Sequence, residues 1–217
     1  AAALNAALVL HDHGQRRIAI VTERLGAGTS HDAGSDKQTY YKAAVAGDAP
    51  DSPREMARDL FAGGSMHGDI ALCEALGSLP AFFRLTELGI PFPHDRFGAY
   101  AGYKTDHDPR QRATSAGPLT SRLMVEALAR EVRKRRIPIL EHLQVIGLIP
   151  KDEDGRRRVA GAVALDLRAA GRKNRGLVLF NAVNIVLGTG GPAGIYEDSV
   201  YPESQSGSHG LAFEIGA

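Results

Sequence analysis

Apolar residues recur at helical spacing in the first segment. Leu4, Ala7 and Leu8 share a face and Gly14 offers a stop, which predicts a helix over residues 1–13. The run Arg17-Ile18-Ala19-Ile20-Val21-Thr22-Glu23 is dense in β-branched residues, the pattern of a buried parallel strand. Residues 26–36 lack any apolar period and read as a loop. A helical stretch is expected over 39–45 and a second loop over 48–53. Ser52-Pro53-Arg54-Glu55 carries a cap, a proline at the first helical position and an acid completing the capping box, so a helix should run from there to about Phe61. Two more helices are predicted, over 68–76 and 79–88, the second stopped by Gly89. Residues 90–118, rich in Gly, Pro, Asp and aromatics, suggest an extended or hairpin-like excursion. The strongest helical pattern follows over 119–136, with Leu119, Leu123, Ala127, Leu128 and Val132 along one face. Then come a strand over 137–141 and an antiparallel meander of 144–150, 159–167 and 176–181. Residues 184–191 read as a buried strand running into a glycine turn, and a last helix begins near Gly207.

This order is α/β, with a mostly parallel sheet, a helical and loop insert over about 37–118 and a small antiparallel meander over about 144–181. Of the 217 residues, 43% are hydrophobic and 24% charged, enough for a packed core. The formal net charge of +1 gives no general reason to expect nucleic acid or a membrane surface. The run Arg133-Lys134-Arg135-Arg136 lies at a helix end, where cations favour the dipole and face water. The single cysteine, Cys73, excludes a disulfide within the chain and any cysteine-based zinc or iron–sulfur site. No apolar run is long enough for a direct membrane span, and no secretory signal is visible.

Three features converge on a dinucleotide. Glu23 ends the first strand, where an acid in a Rossmann-like unit accepts hydrogen bonds from a ribose. The loop Gly28-Thr29-Ser30-His31-Asp32-Ala33-Gly34-Ser35 combines glycines and hydroxyls that let main-chain amides approach an anion. Leu187-Gly188-Thr189-Gly190-Gly191 places small residues where a planar or pyrophosphate ligand can touch the backbone, and a helix start near 207–210 could add its dipole. Asp106, His107 and Asp108 are neighbours in a loop that point different ways, so no metal site is expected. Ser115 and Ser121 lack the context of a hydrolase nucleophile.

The succession of these motifs with Glu87-Leu88-Gly89-Ile90-Pro91-Phe92 and Gly117-Pro118-Leu119-Thr120-Ser121-Arg122-Leu123-Met124 resembles the flavoprotein subunits of succinate dehydrogenase and fumarate reductase. The segment Val186 to Tyr196 is the most specific match, and Gly210-Leu211-Ala212 onward resembles the helix that follows it. The resemblance implies a partial FAD-binding domain over residues 1–217, with the first strand, its glycine-rich turn and the capping domain outside it. It implies FAD as cofactor, held by Glu23, Thr29, Ser30, His31, Gly34, Ser35, Val145, Thr189, Gly190 and Gly191. Glu23 would take the adenosine ribose, Val145 the adenine through its main chain, and the 29–35 loop the pyrophosphate and flavin edge. In some members a Ser-His pair carries the flavin covalently; here Ser30-His31 is followed by Asp-Ala-Gly-Ser instead of Ala-Gln-Gly-Gly. No catalytic side chain is expected in this stretch. The resemblance also implies a dicarboxylate-like substrate, an electron-transfer partner subunit, and a cytoplasmic protein that reaches the membrane only through partners. The other reading is an α/β module with no activity of its own.

Overall fold

The elements run α1 (Ala2–Asp12), β1 (Ile20–Val21), α2 (Thr29–Asp32), β2 (Tyr40–Tyr41), α3 (Pro53–Ala62), α4 (Gly68–Glu87), β3 (Ala113–Thr114), α5 (Thr120–Lys134), β4 (Ile139–Leu140), β5 (Leu143–Glu153), β6 (Arg156–Asp166), β7 (Leu177–Asn181), a 3-10 turn (Ala193–Ile195) and α6 (His209–Glu214). This computed structural model describes residues 1–33, 38–47, 50–105, 108–169, 171–199, 201, 205 and 207–217. The chain divides into two compact units, Ala1–Ala33 with Leu128–Ala217, and Gly34–Ala127.

In the first unit α1 buries Leu4, Ala7 and Leu8, the face read from the sequence. β1 pairs in parallel with β4, Ile20 opposite Ile139 and Val21 opposite Leu140. Both strands are shorter than the apolar runs suggest. The chain bends at His142, whose φ is +63°, an uncommon value for a side-chain-bearing residue. The carbonyls of Thr22 and Glu23 therefore meet the amides of Leu143 and His142 instead of a continuing β4. β5, β6 and β7 form an antiparallel meander in that order. Its first hairpin closes on Asp154 and Gly155, both at positive φ, the two-residue turn that matches strand twist. Leu8, Leu128, Val132, Ile137, Leu143, Ala162 and Ala164 are among the buried apolar residues of this first unit.

Residues 184–191 do not form the predicted buried strand. They make no ladder pairing among the described residues, and Val183, Val186 and Leu187 are exposed. A run of β-branched residues becomes a strand only where a neighbouring edge supplies hydrogen bonds, and none of the described strands pairs with this one. Gly188 instead passes close over α1, where a Cβ would fall 2.7 Å from Ala3 Cβ.

The second unit corrects two further expectations. Residues 40–41 are strand, not helix, with Tyr40 opposite Thr114 and Tyr41 opposite Ala113. Aromatic side chains suit a pleated surface, and the Tyr40 ring lies 5.9 Å from Phe82 and 5.6 Å from Phe92. The helices expected over 68–76 and 79–88 are one helix, α4, with Pro80 inside it. Its buried stripe of Ala71, Ala75, Ser78, Phe82 and Leu85 is continuous through the proline, so packing outweighs the lost amide. α3 starts as read, with Ser52 Oγ accepting from the Glu55 amide at 3.1 Å. Ala43, Met56, Ala57, Ala71 and Ala75 form the core between α3 and α4.

Candidate functional site

Glu23 follows β1 at the C-terminal edge of the parallel pair, the edge at which open α/β sheets receive ligands. Its side chain is exposed, and its backbone is held on both sides. Leu143 N donates to Thr22 O at 3.1 Å, and His142 N donates to Glu23 O at 2.8 Å. Two residues on, Leu25 N donates to Glu141 Oε1 at 2.8 Å.

The same contacts bring the start of β5, Leu143, beside Glu23, and Val145 lies two residues further along that strand. Val145 pairs with Ala164, and the ladder resumes only at Gly147 opposite Val163, leaving Ile146 as the extra residue of a bulge. Such a bulge takes a peptide group out of the ladder beside Val145, and bulges are frequent next to ligand sites.

The loop after Glu23 is not wholly irregular. Residues 29–32 form the single turn α2, with Gly28 extended before it. The amides of its first turn precede the first helical bond, as in any helix start. His31 Nδ1 lies 2.8 Å from Asp32 Oδ1, with both side chains partly exposed. The His31 ring also packs on the backbone of Gly26, where a Cβ would lie 3.5 Å from ring atoms. Gly34 and Ser35 lie outside the described residues, as do Asp106 and His107. Asp108 is committed to structure: its carboxylate accepts from the Arg110 and Arg112 amides and from the Tyr41 hydroxyl. No group of three metal-binding side chains occurs among the described residues.

Thr189 and Gly190 line a cavity of about 160 Å³ with Leu187, Ser208, His209, Ala212 and Phe213. Gly190 has φ +75°, a conformation that favours glycine. α6, whose start the sequence placed near this turn, is only six residues long, and Ser208 makes no side-chain cap bond. The Gln205 side chain reaches the same turn: a Cβ on Gly190 would lie 3.2 Å from its Nε2. Gln205 Oε1 is buried without a hydrogen-bond partner among the described residues. A Cβ on Gly28 or Gly191 would meet nothing within 4 Å, so neither glycine is required by packing and the backbone faces open space. An orphaned acceptor and open glycine backbone beside small hydroxylated residues fit a ligand rich in hydroxyl, phosphate and ring N–H groups.

The structure thus joins Glu23 to the strand of Val145 and sets Thr189 and Gly190 against α6. No hydrogen bond links Thr189, Gly190 or Gly191 directly to Glu23, Thr29 or Ser30 among the described residues. Glu141 and Gln205 are not among the residues expected at the site from the sequence. Glu141 carried the same signal as Glu23, an acid closing a β-branched run; Gln205, in a polar stretch, carried none.

A family model described as FAD binding domain matches residues 1–217. No curated protein matches the chain. Among solved structures, Mycobacterium smegmatis Sdh1 in complex with UQ1 is 22% identical with a TM-score of 0.78, the match covering 99% of this chain and 36% of that one. A quinol-fumarate reductase solved with menaquinol molecules is 20% identical with a TM-score of 0.79, covering 99% of this chain and 35% of that one. The 3-ketosteroid-Δ4-(5α)-dehydrogenase of Rhodococcus jostii is 18% identical with a TM-score of 0.65, covering 91% and 48%. The chain spans little more than a third of the first two, and likeness at these identities shows a common fold. That fold is the one the motifs resembled, and with every residue of the sequence inside the family match, the chain belongs to the FAD binding domain family.

Proposed function

We propose that this domain holds FAD within an oxidoreductase of the succinate dehydrogenase and fumarate reductase type, acting on a dicarboxylate-like substrate and exchanging electrons with a partner subunit. When bound, the flavin supplies the hydride chemistry, between its N5 and the Cα–Cβ bond of the substrate. This chain's residues bind and orient. The Glu23 carboxylate accepts hydrogen bonds from the adenosine ribose, and a main-chain group near Val145 meets the adenine. Thr29 and Ser30 line the pyrophosphate through hydroxyl and amide groups; Gly34 and Ser35, outside the described residues, are assigned to the same cofactor by the resemblance alone. His31, held by Asp32, borders the flavin edge. Thr189, Gly190 and Gly191 pass beside the cofactor, and Gln205 meets one of its donors.

One observation carries this reading: an exposed carboxylate, Glu23, stands at the C-terminal edge of the parallel pair with its backbone tied to β5 on one side and to Glu141 on the other. The bulge at Ile146 supports it, because a main-chain contact to adenine needs a peptide group that the ladder does not use. The association with a partner subunit, and with a membrane through it, follows the same resemblance; no helix among the described residues is long and apolar enough to cross a bilayer.

The test is purification of the full-length protein, identification of its chromophore after denaturation, and assay of fumarate-dependent oxidation of a reduced viologen dye. Recovery of FAD with turnover supports the reading. Recovery of FAD without turnover on any small dicarboxylate removes the substrate assignment. A colourless protein that takes up no FAD leaves the non-catalytic module.

A further inference from the structure

We infer that Glu141 is a positioning residue for Glu23, acting through the Leu25 amide; this rests on the reading of Glu23 as the acceptor for the adenosine ribose. Three hydrogen bonds from one short segment bracket Glu23. Leu143 N binds Thr22 O and His142 N binds Glu23 O, at 3.1 and 2.8 Å. Both are main-chain bonds that any residues other than proline at 142 and 143 would supply. The third, from Leu25 N to Glu141 Oε1 at 2.8 Å, depends on the side chain.

Its place in the fold gives that bond its consequence. The ladder between β1 and β4 ends at Val21 and Leu140, so the peptides after Glu23 have left the sheet. The Glu23 side chain is exposed and no hydrogen bond of its own fixes its carboxylate among the described residues. The direction of its Cα–Cβ bond is therefore set by the backbone on its two sides. The preceding side is held by Leu143. The following side is held by His142 and, one peptide later, by the half-buried carboxylate of Glu141. A backbone amide to a carboxylate is a charge-assisted bond, stronger than a neutral one. His142 has a left-handed backbone, and from this bend its amide and the Glu141 carboxylate both meet the loop that follows β1, at Glu23 and Leu25. A side-chain-bearing residue in that region persists only where its surroundings determine it.

The experiment measures FAD affinity by fluorescence titration of the full-length apoprotein, for Glu141→Ala, Glu141→Gln and Glu23→Ala, and for Glu23→Ala combined with Glu141→Ala. The expected result is about a tenfold weaker Kd in Glu141→Ala, equivalent to about 1.4 kcal/mol. Glu141→Gln, which keeps a carbonyl acceptor for Leu25 N, should stay within about threefold of the parent, or roughly 0.7 kcal/mol. In the Glu23→Ala background, Glu141→Ala should have no further effect, because the group it positions is gone. Equal weakening in both backgrounds would mean a general loss of structure and would overturn the proposal. So would an unchanged Kd in Glu141→Ala while Glu23→Ala weakens binding. If Glu23→Ala itself leaves FAD affinity unchanged, the ribose reading fails first and this inference falls with it. Should the alanine variant not fold, Glu141→Ser takes its place in both backgrounds, with the same expected loss and the same overturning results.

Discussion

Arg112 is fully buried, and its charge is sustained there by three carboxylates. Its Nε and Nη2 donate to Asp51 at 2.8 and 2.7 Å, Nη1 donates to Asp59 at 2.8 Å, and Asp108 Oδ1 lies 3.5 Å away. The fork-on-fork pair with Asp51 uses the planar guanidinium in a way lysine could not. Burial pushes the Asp51 carboxyl up, but the bonds from Arg112 and from the Ala44 and Ser52 amides outweigh it and hold the group below the usual carboxylate range. Because the folded value lies below the unfolded one, the associated stability is fully present above the unfolded value of about 3.9 and is lost as pH falls below it through the folded value. Urea unfolding against pH should show that decline, and Asp51→Asn should flatten it. At neutral pH the same substitution should destabilise by about 3 kcal/mol, since it strips a buried charge of its main partner. Lys42, equally buried, carries its ammonium 4.9 Å over the Phe82 ring, and burial lowers its pKa.

At the scale of elements, α3 and α4 show local signals and packing acting separately. The α3 start was readable because its cap is local: Ser52 and Glu55 are three residues apart and meet in the folded chain. Ser52→Ala should lower stability by about 1 kcal/mol, measured as a shift in urea midpoint at constant slope. The continuity of α4 was not readable, because Gly77 and Pro80 are local breakers while the stripe that overrides them packs against separate segments, Ala71 and Ala75 against α3, Ser78 against Ala43, and Phe82 against Tyr40 and Phe92. The strand at Tyr40 and Tyr41 was missed for the same reason: its partner, Ala113 and Thr114, lies some seventy residues away in sequence, beyond any window of periodicity.

For the whole molecule, the cofactor couples binding to stability. A ligand that binds only the folded chain adds about 2.7 kcal/mol at a hundred times its Kd, so FAD should raise the melting temperature of the apoprotein in a concentration-dependent way. Glu23→Ala should shrink that increment while leaving the apoprotein's own melting temperature nearly unchanged, because the side chain is exposed. Differential scanning fluorimetry with and without FAD reads both numbers. A variant that lost stability equally in both conditions would mark Glu23 as structural.

By itself the sequence determined the α/β class, the ends of α1 and α3, the three-strand meander and the acid at the end of β1, because each is written in neighbouring residues as period, cap, turn or strand terminus. The ordered motifs also carried the FAD resemblance across the whole chain. Only the tertiary structure decided that residues 184–191 form no strand and bring Gly188 against α1, that the parallel strands stop after two paired residues, and that Glu141 reaches back to Leu25. Those facts depend on which edge finds a partner and on where the chain bends at His142, and hydrogen bonds between residues more than a hundred positions apart leave no trace in local pattern.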